Sequence, residues 1–287
     1  MTADVTAAPK LIRIGHSPDP DDAFMFYALS TGKVVVEGCT IEHRLEDIET
    51  LNRRALNGEY EMTAFSAHAY PEVAAKYQVM MTGASMGRGY GPIVLARESM
   101  ALGDLAGKKL AIPGVKTTAW LLFQLFGPTV EPVVVPFDAI MDEVESGRVD
   151  AGLVIHEGQL TWKDGALKKV CDFGTIWDEA TQGLPLPLGL DAVRRDLGPE
   201  LIGRLAKGLT DSIRYAYDHE ADAMEYARGF GRGIEKDLNR TFVRMYVSDD
   251  TVDMGEPGVR ALEQLYDRAV AKGLLAARPP LDLIPVG

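Results

Sequence analysis

Four places in the chain set a hydroxyl or an imidazole at the end of a short apolar run. They are Ser17 after residues 11–15, Ser66 after 61–65, Thr117 with Thr118 after 108–113, and His156 after 151–155. Hydroxyl groups donate to carboxylate and carbonyl oxygens, and an imidazole titrating near neutrality can accept a proton. One such ending is ordinary turn chemistry, because Ser and Thr favour turns. Four coincident endings form a pattern, since ligands of open α/β sheets bind at the carboxyl ends of strands. The chemistry implied is recognition of a small oxygen-rich anion, with His156 as the base. Blander readings stand beside it. His156 can be a hydrogen-bonded residue at the edge of a core, Thr117 and Thr118 can be helix caps, and residues 16–22 can be a plain turn. Of the other histidines, His16 can reach the same crevice and His68 stands behind Ser66. His43 is expected to face solvent, and His219 lies between C-terminal helices.

The elements that must position these residues follow from periodicity. Residues 151–155 are apolar and partly β-branched, as in a strand buried on both faces. Residues 11–15, 61–65, 79–82, 91–97, 108–113, 133–136 and 169–173 read as further strands, with a short pair at 34–36 and 40–43. Helices are expected over 23–29, 48–57 (capped by Asp47 and stopped by Gly58), 67–77, 119–126 and 137–146 (capped by Asp138). Four more follow at 199–217, 221–229, 234–247 and 256–272. Alternating strands and helices predict an α/β protein with mainly parallel sheets. The pattern changes near residues 96–105 and again near 184–190. That predicts two lobes facing a cleft: a larger, discontinuous lobe of residues 1–98 and 190–287, and a smaller inserted lobe of residues 99–189. The glycine-rich stretch 83–91 lacks the Lys-Ser/Thr of a P-loop and the dinucleotide fingerprint, and reads as a hinge or a cover for the ligand.

Composition excludes several classes. The 287 residues are 46% hydrophobic and 25% charged, as in a globular protein, and the net charge of −12 argues against nucleic acid and anionic membrane surfaces as partners. Residues 1–9 lack the pattern of an export signal and no stretch reads as a membrane span, so a cytoplasmic location is expected. Cys39 and Cys171 are isolated and read as buried free thiols in a reducing compartment. No histidine pair has metal spacing. Asp19, Asp21 and Asp22 lack the alternation of a calcium loop and read as capping acids, so no metal is expected. There is no Gly-x-Ser-x-Gly elbow. The oligomeric state is left open, a homodimer included.

Ordered motifs along the chain carry a resemblance. They are Ser17-Pro18-x-Pro20-x-Asp22-x-Phe24, Asp47-Ile48-Glu49-Thr50-Leu51-Asn52, Gly87-Arg88-Gly89-x-Gly91-Pro92, Pro113-Gly-x-x-Thr117-Thr118-Ala119, Gly152-Leu-x-Ile-His156-Glu157 and Gly183-Leu-Pro-Leu-Pro-Leu-Gly189. This set resembles the menaquinone biosynthesis enzymes of the futalosine route. It is most similar to the branch that converts cyclic dehypoxanthine futalosine into 1,4-dihydroxy-6-naphthoate. The resemblance implies the two-lobed fold of type II periplasmic solute-binding proteins, a cytoplasmic carbon–carbon lyase without a cofactor, and an anionic substrate. It implies His156 as proton acceptor and Ser17, Ala64, Phe65, Ser66, Thr117 and Thr118 as substrate contacts. The first loop departs from the family's usual Ser-Pro-Cys-Pro-Asn-Asp-Thr-Phe, with Asp19, Asp21 and Ala23 replacing Cys, Asn and Thr. Two other functions stay open on the residues alone: chorismate dehydration in a similar cleft, and solute binding without catalysis.

Overall fold

The computed structural model describes residues 8–155, 158–231 and 235–287, and only the backbone of Asp164. The chain opens on β1 (Lys10–His16), whose alternation decides its faces: Ile12 and Ile14 turn into the core while Arg13 turns out to pair with Glu61. Gly15 allows close packing, because a Cβ there would lie 2.4 Å from the Tyr60 ring. β2 (Cys39–Leu45) runs parallel to β1 at the sheet edge, and β3 (Met62–Ser66), wholly buried, runs parallel on its other side. β4 (Tyr77–Met80) and the short β5 (Ser85–Gly87) complete the first pass.

The chain then builds a second sheet from β6 (Ile93–Ala96), β7 (Lys109–Ile112), β8 (Glu131–Val134), β9 (Ala151–Val154) and β10 (Lys168–Asp172). Their order is β10-β6-β9-β7-β8. β11 (Leu186–Arg194) returns to the first sheet between β3 and β4, and β12 (Leu283–Ile284) adds its edge. Two passages between sheets result, between Gly87 and Ile93 and between Asp172 and Leu186, so β6 and part of β11 sit in the opposite sheet from the boundaries at 98/99 and 189/190. An apolar run such as Ile93–Ala96 reads alike in either sheet, and only its partners β9 and β10 place it.

The sheets are mixed rather than mainly parallel. β11 runs antiparallel to β3, β4 and β5, and β6 antiparallel to β9 and β10. Each is the first strand the chain lays down on entering its sheet from the other one. Other expectations shift locally. Residues 34–36 are not a strand, the helix expected over 67–77 shrinks to Tyr70–Val73, and 137–146 begins as a 3₁₀ turn with Ala139, not Asp138, before helix Ile140–Glu145. Helix Ile48–Asn57 has the expected Asp47 cap, which accepts from Thr50 N at 3.0 Å, and a left-handed Gly58.

Helix Pro199–Asp218 lays Leu205, Leu209 and Ile213 over Ile12, Ile14, Met62 and Val193. A second apolar cluster crosses between the sheets, joining Phe65, Tyr70 and Tyr77 to Leu110, Ile112, Phe123 and Trp177. Helix Gly255–Ala271 packs on both β11 and helix Thr118–Phe126 and so braces the two halves. Among the described residues no helix is long and apolar enough to cross a membrane. Cys39 and Cys171 are free and only partly buried.

Candidate active site

A pocket lies between the sheets, with about 750 Å³ of empty space including its open mouth. Ser17, Ala64, Phe65, Ser66, Thr117 and Thr118 all line it, as does Ile155, the residue after β9. His156 itself lies outside the described residues, so the expected base has its chain neighbour on the pocket wall and no geometry of its own. Apolar contributions come from Ile48, Pro92, Leu188 and Leu190.

The hydroxyls differ in what they have left to offer. Ser66 is held by Asn52, which is fully buried: Asn52 Oδ1 accepts from Ser66 N at 2.8 Å and Asn52 Nδ2 donates to Ser66 Oγ at 3.0 Å. Ser66 therefore keeps its own proton for a ligand. Thr117 Oγ1 donates to Gly114 O at 2.8 Å and accepts from Trp120 N at 3.3 Å, as the N-cap of helix Thr118–Phe126. Thr118 Oγ1 donates to Leu188 O at 2.6 Å and accepts from His68 N at 3.3 Å. Both threonine protons are committed. What this corner offers an anion is the positive end of a nine-residue helix and its first-turn amides. His68 supports it from behind, with Nδ1–H donating to Thr117 O at 3.1 Å, and Glu49 Oε2 accepts from Lys116 N at 3.0 Å across the two sheets.

Acids fill the opposite side. Asp19 is the N-cap of helix Pro20–Met25 and accepts from Ser17 Oγ, and Asp22 Oδ2 accepts from Ser17 N at 2.5 Å. Asp22 therefore fixes the loop as well as opening the helix. Burial raises the Asp22 carboxyl well above its ordinary range, with Asp21 and Asp191 adding to the shift and the Ser17 amide opposing it. Burial likewise lifts Asp191 to about 8.

His16 is 3% exposed and stays out of the pocket lining. Its Nδ1 lies 3.1 Å from Ser17 O, and its Nε2 lies 3.0 Å from His43 Nδ1. A carbonyl only accepts, so His16 carries its proton on Nδ1 and accepts on Nε2. His43 must then donate from Nδ1 and accept from Ser30 Oγ, 3.3 Å from its Nε2. Burial, reinforced by His43, lowers His16 to about 3, and burial lowers His43 to about 4, so both rings are neutral. The expectation that His43 faces solvent fails because its ring closes this chain over His16.

Gly83 and Ser85 come from the stretch read as a hinge or a cover for the ligand, whereas Asp191 and Tyr246 escaped the sequence reading. Asp191 left a signal, as a lone carboxylate inside the apolar run 188–193. Tyr246 left none. It is brought in from helix Lys236–Tyr246, where its hydroxyl accepts from Gln159 Nε2 at 2.6 Å. Among the described residues no Lys, Arg or His lines the pocket, and no group of three His, Cys, Asp or Glu side chains could hold a metal ion.

Comparison with known proteins bears on what this pocket serves. A family model described as menaquinone biosynthesis matches residues 12–271. A Thermus thermophilus protein, 1,4-dihydroxy-6-naphthoate synthase by name, is 41% identical over 268 residues, covering 93% of this chain and 97% of its own. The chain belongs to the menaquinone biosynthesis family. A Streptomyces coelicolor member of the same name is 37% identical, over 94% of this chain and 96% of its own. The crystal structure of an Archaeoglobus fulgidus protein superposes with a TM-score of 0.88 at 48% identity, covering 92% of this chain and 98% of that one. The periplasmic aliphatic sulphonate binding protein of Escherichia coli, 11% identical, superposes with a TM-score of 0.65 over 95% of this chain and 91% of its own. The family member is thus built on the periplasmic-binding-protein fold.

Proposed function

We propose that this chain makes 1,4-dihydroxy-6-naphthoate by cleaving a carbon–carbon bond of cyclic dehypoxanthine futalosine. The observation that carries the reading is near full-length identity of 37–41% to two synthases of that product, in a chain whose strand-end hydroxyls Ser17, Ser66, Thr117 and Thr118 line one pocket. The pocket suits such a ligand. Phe65, Ile48, Leu188 and Leu190 supply apolar walls for a ring system, while Ser66 and the helix beginning at Thr118 offer donors to its carboxylate.

In this reading His156 is the base. It takes a proton from the substrate, the carbon–carbon bond breaks, and the sugar-derived fragment leaves as the ring becomes aromatic. Aromatisation drives the step, so the protein supplies position and one base and the reading invokes no cofactor. The protein acts as a lyase, in the cytoplasm, on a small anionic substrate. The experiment is direct: incubate the purified protein separately with cyclic dehypoxanthine futalosine and with chorismate, and identify the products by mass. Formation of 1,4-dihydroxy-6-naphthoate from the first supports the reading. Dehydration of chorismate alone, or turnover of neither, overturns it.

A further inference from the structure

Asp191 has a place in the pocket that the base and the anion-binding corner do not explain. It stands on β11 opposite Ala64 of β3, is 1% exposed, and borders the pocket. Its Oδ1 is buried and has no hydrogen-bond partner among the described residues. Its Oδ2 is pressed against the main chain of Gly83, where a Cβ would lie 2.5 Å away and φ is +85°. Glycine at that position leaves room for the carboxyl and nothing larger.

The surroundings decide its charge. Among the described residues Asp22 is the charged group that interacts with it, and Asp21, Asp19 and the Tyr246 hydroxyl line the same pocket. Ala64 of β3 stands opposite it, and Leu209 packs beside it against Gly83. No cation lines the pocket among the described residues. Two buried carboxyls that repel one another cannot both ionise at neutral pH. Asp22 is raised as well, but one of its oxygens accepts from the Ser17 amide, which opposes the shift. Among the described residues Asp191 has no such donor, and a buried carboxylate left without one is costly.

We propose that Asp191 meets the ligand as a neutral carboxylic acid, donating a hydrogen bond from its carboxyl to a carbonyl or phenolic oxygen of a hydroxylated aromatic acid. The inference rests on the function proposed above. It gives the pocket two unlike ends: amides and the Ser66 hydroxyl for the carboxylate, and a protonated acid for the oxygens of the ring. It also accounts for a pocket that takes an anion although four aspartates line it.

The test uses the intact protein and 1,4-dihydroxy-6-naphthoate, titrated anaerobically from about pH 6 to about pH 9, the range that brackets the raised carboxyl. Asp191→Asn keeps a neutral donor that cannot ionise. Affinity of the parent should fall about tenfold more over this range than that of Asp191→Asn, while the two agree within about threefold at the acid end. Asp191→Ala, smaller and without a donor, should bind about tenfold more weakly throughout. In the ligand-free parent, the infrared carbonyl stretch of a protonated carboxyl should vanish with a midpoint near pH 8 and be missing from Asp191→Asn. Parallel pH profiles for parent and Asp191→Asn, or an infrared spectrum that Asp191→Asn leaves unchanged, would overturn the proposal while leaving the function standing. A parent that binds no naphthoate at any pH would instead bring down the function, and this inference with it.

Discussion

Replacing Thr117 by Val separates two roles that a hydroxyl at a helix start can have. The side chain is 2% exposed, so Val keeps the volume and removes two hydrogen bonds: the 2.8 Å bond to Gly114 O and the 3.3 Å cap on Trp120 N. Loss of an N-cap costs about 1 kcal/mol, and Gly114 O keeps only its longer bond from the Thr117 amide at 3.4 Å, so the variant should lose about 1–2 kcal/mol of unfolding free energy. The amides of helix Thr118–Phe126 remain, and with them the donors assigned to the ligand. Affinity for 1,4-dihydroxy-6-naphthoate should therefore change by less than about threefold, or about 0.7 kcal/mol. Urea unfolding followed by tryptophan fluorescence reads the first quantity, as a lower midpoint at constant slope, and calorimetry reads the second. Thr117→Ser, which keeps the hydroxyl, should recover most of the stability. Unaltered stability with affinity reduced tenfold or more would refute the reasoning and make the hydroxyl itself a ligand donor.

Other expectations follow from the same geometry. Ser66→Ala removes the one hydroxyl in this corner whose proton is free, and should weaken naphthoate binding by about 1–1.5 kcal/mol; it also leaves the buried Asn52 Nδ2 without its acceptor, so stability should fall by about 1–3 kcal/mol, as calorimetry and urea unfolding together would reveal. His156→Asn should lower turnover about 10²–10⁴-fold while product still binds; turnover within a few-fold of the parent places the base elsewhere. Asp191 has a folded-state pKa of about 8 against an ordinary 3.8, so the stability linked to it is complete below 3.8 and declines as pH rises towards 8. Relative to Asp191→Asn, the parent should thus lose about 2–3 kcal/mol between about pH 5 and 7, and equal slopes in denaturant titrations would count against a buried neutral acid. His16 shows the opposite sign. Its pKa is lowered to about 3 from 6.5, so the stability linked to it is lost as pH falls below 6.5, and His16→Gln should flatten that acid limb of the melting curve.

The convergence of strand ends was legible because it depends on local signals: an apolar run, then a hydroxyl. Ser17, Ser66, Thr117 and Thr118 stand where that pattern puts them, on the wall of one pocket. Division of labour among them was not legible, because it depends on partners distant in sequence. Asn52 lies fourteen residues before Ser66, and Leu188 O lies seventy after Thr118. Strand direction was hidden for a related reason. The run 184–190, with its prolines, reads as a connection, yet from Leu186 onward it is β11, and its antiparallel course delivers Asp191 and Leu188 to the pocket. Acids in the first loop read as caps, and their role in anchoring Ser17 through Asp22 needed the fold of the turn itself.

The paired rings of His16 and His43 tie an outlying strand to the pocket wall. β2 is the edge of its sheet and sends no side chain into the pocket, but through His43 it fixes which nitrogen of His16 holds a proton, and hence what the Ser17 carbonyl receives. Ser30 and His43 therefore share one polarity with the ligand loop, a line of donors pointing inward from the rim. Reversing any member would set two donors or two lone pairs face to face. The two histidine positions are accordingly coupled: a substitution at position 43 strands a nitrogen of His16 in the core, and only a matching change at position 16 restores the line.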